Sequence, residues 1–419
     1  MSAPYRINMD NVAARDLLKK GATILLLDVP PGTAVGIDHQ VFLSGPEFKG
    51  VKMLPPGPHL VSYCAKGSQG DFGPVTCFFI HPSAGQVVIK RWDPQQEYLV
   101  AVDEESEVMQ FTQAVHMFEF DRHLAPYDLA NLATWRSLSA HLTPAVIDRL
   151  QPVGGNICVL AEAPPGSRGR RQTPAEAALE AQLSRRKATS SSQGGGGSDD
   201  SAVPGSHPQG ALVAAPHAGR CFYTRTQTVS RDGVYDAAAR TRHNLDRSEG
   251  LDSLIREEYA GDGDLLLGEL QFAFLAFLVG QSFAGLMQWR ALLQLLLGCF
   301  SAALGQHQQL FAQALDVLAA QLAASSQKQG RVGGAQDAGF LDELLRDSFL
   351  SHQLPQWTRG VQEESDGAGL TPALAESVAR VNEALHELVG WEDSSQVQEL
   401  GLGDDEDSPA VVDLDAPMF

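Results

Sequence analysis

Short apolar runs broken by proline and glycine fill the first hundred residues of the chain, and they have the length and spacing of strands. ATILLLDV from Ala22, Val41 to Leu43, His59 to Cys64, Thr76 to Ile80 and Gln86 to Trp92 are the clearest. Between the last two, His81-Pro-Ser-Ala-Gly85 reads as a hairpin loop. Ahead of the strands, Val12, Ala13, Leu17 and Leu18 recur at helical spacing from about Asp10 to Lys20, and Gly21 ends that helix. Past Glu104 the period changes to that of helices. Thr143 before Pro144 has the form of an N-cap with proline at the first helical position, which starts a helix running to about Leu150. After Arg220 comes CFYTRT, a short strand candidate. A leucine- and alanine-rich half follows, with helices expected over Leu265 to Val279, Leu286 to Leu304, His307 to Ala324, Phe340 to Leu350 and Pro372 to Leu388. No fixed repeat period marks it as a solenoid.

The pattern predicts an α+β multidomain chain, a β-rich N-terminal domain over residues 1–160 and an all-α C-terminal domain over 220–391. Between them, residues 161–219 contain APPGSRGRR, SSSQGGGGSDDS and PGSHPQG, with too few large apolar side chains to offset the entropy of ordering. A low-complexity, disordered linker is expected there. Within it, Thr173-Pro-Ala-Glu176 has the form of a capping box, able to start a transient helix. Residues 392–419 form an acidic tail. From Val381 onward there is no Lys or Arg against eleven Asp and Glu, yet Pro409 to Asp415 is a β-prone island holding Val411, Val412 and Leu414.

Charge and cysteine content narrow the function. A net charge of −20 repels a phosphate backbone, and the only basic clusters, Arg168 to Arg171 and Arg185 to Lys187, lie in the linker, so direct nucleic-acid binding is not expected. Five widely spaced cysteines without a C-x-x-C pair fit a reducing compartment and free, mostly buried thiols. The N-terminus has no secretory pattern, and Leu265 to Gly280 is too short for a membrane span and carries Glu269 and Gln271. A buried core helix is expected there. No membrane association follows, and the expected compartments are cytoplasm and nucleus. The twelve histidines include no H-x-x-x-H pair, and no metal or other cofactor is expected.

LLLDVPPGTAVGID, residues 25–38, is the phrase closest to a catalytic or phosphate-binding loop. It lacks the Gly-Lys-Ser/Thr ending of a phosphate cradle, and Pro30 and Pro31 remove two of the amides such a cradle uses. Asp28 is not followed by the hydroxyl residue and glycine of an acid protease. The expected structure is plain: Asp28 ends a strand, the prolines stiffen the exit, and Gly32 and Gly36 take turn conformations.

That phrase, with GPEFKGVKMLPPGPHLVSY, VIKRW, FDRHLAPYDLANLATWRSLSAHLTPAVIDRLQP, LLGELQFAFLAFLVGQSFAGLMQWRALLQLLL and SPAVVDLD, stands in the order found in the A1 cistron-splicing factor family, which the chain resembles. The resemblance covers both ends and omits the linker. It implies a β-rich domain followed by a VHS-like helical domain, no enzymatic activity and a role in assembly of the U5 small nuclear ribonucleoprotein. The implied partner is the large U5 scaffold protein, bound at its RNase H-like and endonuclease-like end so that the particle's RNA helicase is held off.

Candidate partner contacts are Lys49, Lys52 and Met53 in GPEFKGVKMLPPG, for which a strand and turn is the plain alternative. Trp289 and Arg290 form a candidate aromatic and guanidinium anchor, with core packing of Trp289 as the alternative. In the tail, Val411, Val412 and Leu414 are candidates for strand addition to the partner or back onto the N-terminal domain. Thr189, Ser190, Ser191 and Ser192, just after Arg185, Arg186 and Lys187, are candidate phosphorylation positions. Two further classes remain at this stage: a VHS-type trafficking adaptor or other interaction scaffold, which would lack the N-terminal β blocks, and an RNA-binding protein, which would need exposed basic and aromatic residues together.

Overall fold

The computed structural model describes residues 11–66, 72–162, 219–226, 246–326, 350, 353–361 and 370–389. The chain opens with α1 (Asn11–Lys20), then β1 (Ala22–Leu27), β2 (Ala34–Ile37), β3 (Gln40–Leu43), β4 (Gly50–Leu54), β5 (His59–Cys64), β6 (Thr76–Ile80), β7 (Val87–Asp93) and β8 (Tyr98–Ala101). Next come α2 (Glu105–His116), β9 (Leu124–Pro126), α3 (Leu132–Ser139), α4 (Pro144–Leu150), β10 (Ile157–Cys158) and α5 (Val159–Glu162). The helical half contains α6 (Ser248–Glu258), α7 (Gly263–Leu278), α8 (Phe283–Leu296), α9 (Phe300–Leu304), α10 (Gln308–Ser326), helical residues 353–361 and α11 (Pro372–Val389). The architecture is α+β, a β-sheet region followed by a helical one. Among the described residues no helix is long and apolar enough to cross a membrane.

Two five-stranded sheets, ordered β8-β7-β1-β4-β9 and β10-β6-β5-β2-β3, stack through one apolar layer. Ile24, Leu26 and Val51 of the first sheet meet Val35, Val61 and Phe78 of the second. The first sheet's other face, through Leu25, Leu27 and Ile89, is covered by α2. The second sheet's other face, through Leu60, Cys77 and Phe79, continues into the helical core. That explains the pattern of β5 and β6: buried on both faces, they do not alternate between apolar and polar residues, and the polar His59, Ser62 and Thr76 are buried along with their apolar neighbours.

The two halves therefore share a core. Phe79 of β6 stacks on Phe272 of α7 with ring centroids 4.4 Å apart. The Gln271 side chain donates to Ser137 O at 3.0 Å and accepts from His141 N at 2.7 Å, tying α7 to α3 and the loop beyond it. α5 ends on Glu162, whose carboxylate accepts from Ser282 Oγ at 2.5 Å and Ala284 N at 3.1 Å at the start of α8. Burial raises the Glu162 pKa, partly opposed by those same hydrogen bonds. Gly219 packs on Ala161 so closely that a Cβ there would lie 2.5 Å from the Ala161 Cβ.

Strand and helix bounds follow the sequence reading closely at β1, β5, β6, α1, α4, α7, α10 and α11. The N-cap holds too, with Thr143 Oγ1 accepting from Val146 N at 3.3 Å. Four expectations are corrected. His81 to Gly85 is no hairpin loop, because β6 lies in the second sheet while β7 crosses to the first and pairs parallel with β1. Gly32 is in the left-handed region at φ +87°, but Gly36 is a strand residue paired with Val41 and Ser62. CFYTRT is not a strand: residues 221–226 join no ladder. The expected Leu286 to Leu304 helix breaks after Leu296, where Gly298 turns the chain and Asp246 accepts from Ser301 N at 3.2 Å to start α9. Apart from Leu350, the helix expected over Phe340 to Leu350 lies outside the described residues, as does nearly all of 161–219 and all of 392–419.

Candidate functional site

β1 and β4 pair out of step. Ala22 faces Leu54 and Ile24 faces Val51, so Lys52 and Met53 together stand opposite the single residue Thr23, a β-bulge. Met53 takes φ 63°, a left-handed conformation that costs a side-chain-bearing residue about 1–2 kcal/mol. The end of α1 rests on this bulge: a Cβ on Gly21 would come within 2.8 Å of the Met53 Cα, so only glycine fits.

A second strained residue lies close by. α2 ends in a Schellman motif, with Glu119 N donating to Ala114 O and Phe118 N to Val115 O, both at 3.0 Å. Glycine normally fills the left-handed position of that motif, yet here it is Phe118, at φ 61° and 57% exposed. Met53 and Phe118 line the same groove, which runs between Leu17, Leu18 and Lys19 of α1 and Val115 and His116 of α2. From His116 an apolar stripe continues along α2 through Met109 and Met117, which are 66% and 64% exposed. Leu18 adds a 54% exposed side chain on the α1 side. Two large apolar residues held in unfavourable backbone conformations at one groove are strain of the kind that collects at functional surfaces.

The candidates named from sequence fall into three groups. Lys52 and Met53 are in the groove; the Lys52 ammonium pairs with the Asp121 carboxylate and donates to Asp121 O at 3.0 Å. Lys49 is adjacent and half-buried, its backbone bonded to His123 O and Leu26 N. Trp289 and Arg290 are on α8, far along the chain from that groove. Trp289 is 2% exposed, packs on Phe274 at 5.6 Å and donates from Nε1 to Gln321 Oε1 at 2.8 Å, the core-packing alternative. Val411, Val412, Leu414, Thr189, Ser190, Ser191 and Ser192 lie outside the described residues. Sequence reasoning missed Leu18, Met109, Met117 and Phe118. The available signal was a helix ending in Met-Phe-Glu with no glycine to cap it.

Two buried polar clusters lie elsewhere. Glu269, in the middle of α7 and 0% exposed, accepts four hydrogen bonds: from Thr224 N and Oγ1 at 2.7 Å, Gln288 Nε2 at 2.9 Å and Tyr259 OH at 3.0 Å. Arg149 donates to Thr224 Oγ1 at 2.7 Å and lies 4.7 Å over the Tyr259 ring. The cluster fastens residues 221–226 between α4, α7 and α8, and four donors occupy the carboxylate. The second cluster joins His59, Asp38 and Tyr127 between the sheets. Among the described residues no group of three or more His, Cys, Asp and Glu side chains is placed to hold a metal ion.

Comparison with known proteins bears on both halves. Residues 20–152 match the family described as AAR2 N-terminal domain, and residues 223–394 match the AAR2 C-terminal repeat region. Proteins called Protein AAR2 homolog, from Mus musculus and from Homo sapiens, are each 28% identical over 358 residues, covering 83% of this chain and 85% of theirs. The Protein AAR2 homolog of Caenorhabditis elegans is 27% identical over 379 residues, 90% of this chain and 96% of its own.

Proposed function

The chain belongs to the AAR2 family, with its role in U5 small nuclear ribonucleoprotein assembly and pre-mRNA splicing, and on that premise we propose how it acts. It is a non-catalytic assembly factor that binds the large U5 scaffold protein at its RNase H-like and endonuclease-like end and delays arrival of the RNA helicase. Its work is done in the cytoplasm and nucleus. The groove between α1 and α2, with Met53 on the bulge and Phe118 at the helix end, is the docking surface on the N-terminal side. The observation that supports this is the strain itself: glycine at either position would relieve it, while Phe118 presents an apolar side chain outward and Met53 lies half-buried in the groove. The partner is protein rather than RNA, in keeping with the net charge of −20.

Affinity purification of the tagged chain from cell extract tests the partner, and the U5 scaffold protein should be the main stoichiometric species. Adding purified helicase to the complex should then compete, raising the free fraction of the factor; helicase that joins without displacing it would remove the delay from the proposal. Two elements outside the described residues complete the reading. The island with Val411, Val412 and Leu414 adds a strand to the partner, so removing residues 404–419 should weaken binding at least about tenfold, or 1.4 kcal/mol. Phosphorylation at Thr189 to Ser192 promotes release, and glutamate at all four positions should mimic it.

A further inference from the structure

Two phrases that the partner groove leaves unexplained, DVPPGTAVGID and LPPGPHLVSY, converge on one spot. Asp38 follows β2 and His59 opens β5, both in the second sheet; Pro55 follows β4 and Tyr127 follows β9, both in the first. His59 Nδ1 lies 2.7 Å from Asp38 Oδ2, and Nε2 lies 2.6 Å from Pro55 O. Asp38 also accepts from Tyr127 OH at 2.7 Å and from Leu60 N at 2.9 Å. The side chains of His59 and Asp38 are 2% and 0% exposed.

The ring's charge follows from this inventory. A carbonyl oxygen can only accept, so Nε2 must carry a hydrogen to meet Pro55 O. A neutral ring would then present a bare Nδ1 to Asp38, and that bond would survive only if the carboxyl held the proton. Asp38 already accepts from a hydroxyl and an amide, so both of its oxygens act as acceptors, as those of a carboxylate do. Both ring nitrogens therefore donate. We propose that His59 is a standing imidazolium, and that its ion pair with Asp38 inside the second sheet holds in place the Pro55 and Tyr127 bonds that cross to the first, a pH-sensitive staple released as pH rises.

The surrounding charges agree. Burial, the largest single influence, pulls the His59 pKa down, but the Asp38 charge, its hydrogen bond and the Pro55 carbonyl together carry it above the ordinary 6.5. The other groups facing the pair are Tyr127, His39, Asp128 and Arg136. Burial first, then Asp38, pushes the Tyr127 phenol well up, so it stays a neutral donor; burial pushes the neighbouring His39 down, so it adds no second cation. The sign follows: the staple's stability is fully present below the unfolded histidine value and is lost as pH rises through the raised folded value. The staple also reaches the groove. Tyr127 N donates to Lys52 O at 2.9 Å on the bulge, and Trp135 Nε1 donates to Pro58 O at 2.8 Å from α3.

Nitrogen-15 labelling of the histidines in the full chain, followed by a two-bond proton–nitrogen spectrum across pH, tests the proposal. The His59 signals are assigned through contacts with the Tyr127 ring, 5.5 Å away. Both His59 nitrogens should remain protonated above the ordinary imidazole value of about 6.5. A bare Nδ1 in neutral solution, or titration together with the exposed histidines, overturns the proposal. In Asp38→Asn the His59 midpoint should fall below that of the exposed histidines; an unchanged midpoint would also overturn it. Should that variant not fold, thermal melting of the unaltered chain decides, and a stability curve that stays flat as pH rises beyond the ordinary imidazole value of about 6.5 counts against the staple.

Discussion

Each half of the molecule buries a carboxylate completely, and each compensates the burial differently. In the sheet region Asp38 is balanced by a cation, His59, with Tyr127 and an amide as further donors. In the helical region Glu269 is surrounded by neutral donors alone, and the nearest guanidinium, Arg149, reaches it only through Thr224. Burying a charge is costly unless donors or a counter-charge replace the lost water. The neutral solution spreads over four donors from three segments and so locks a crossing segment in place. The ionic solution concentrates in one contact, and thereby acquires a pH dependence set by the histidine.

The sharpest way to break the comparison is Glu269→Leu. It strands four buried donors, each worth about 1–3 kcal/mol, so urea unfolding should show a loss of about 4 kcal/mol or more. Glu269→Gln should cost clearly less, and equal costs would mean that charge rather than donor count matters there. Asp38→Asn comes next, at about 3–5 kcal/mol, because it leaves an unpaired cation between the sheets. Tyr127→Phe removes one hydrogen bond to a charged group and should cost about 1.5–3 kcal/mol, read from the same urea curves. Phe118→Gly touches neither carboxylate and should act in the opposite direction, gaining about 1 kcal/mol as the left-handed strain is relieved while scaffold binding weakens. Lost stability there would assign Phe118 to packing, and unchanged binding would remove it from the docking surface.

Much of the secondary structure was legible from local pattern. β5 and β6 are mostly apolar and bounded by proline and glycine, and α11 carries a clear amphipathic period. Pairing was not legible, since nothing in His81 to Gly85 tells that β7 leaves its predecessor's sheet to lie parallel with β1. CFYTRT has the aromatic and β-branched residues that a strand would share. Its backbone is satisfied instead by the Glu269 and Gln288 side chains and by Leu150 O, partners distant in sequence. The groove was half visible: Lys52 and Met53 were named as contacts, but the bulge that aims them depends on register with β1. Asp38 and His59 belong to phrases that stood out as turns, and their meeting required the fold.

Gly219 lies against Ala161, one residue before the Glu162 that caps α8, so the chain leaves at 162 and returns at 219 to nearly the same point. A connection between ends already in contact asks nothing of its own length. For a flexible chain each doubling of such a connection adds only about 0.6 kcal/mol of closure entropy. Stretches such as SSSQGGGGSDDS can thus lengthen or shorten over evolutionary time with little effect on the fold. The same spot is where a fluorescent reporter domain, whose own termini lie close together, is best grafted into the chain.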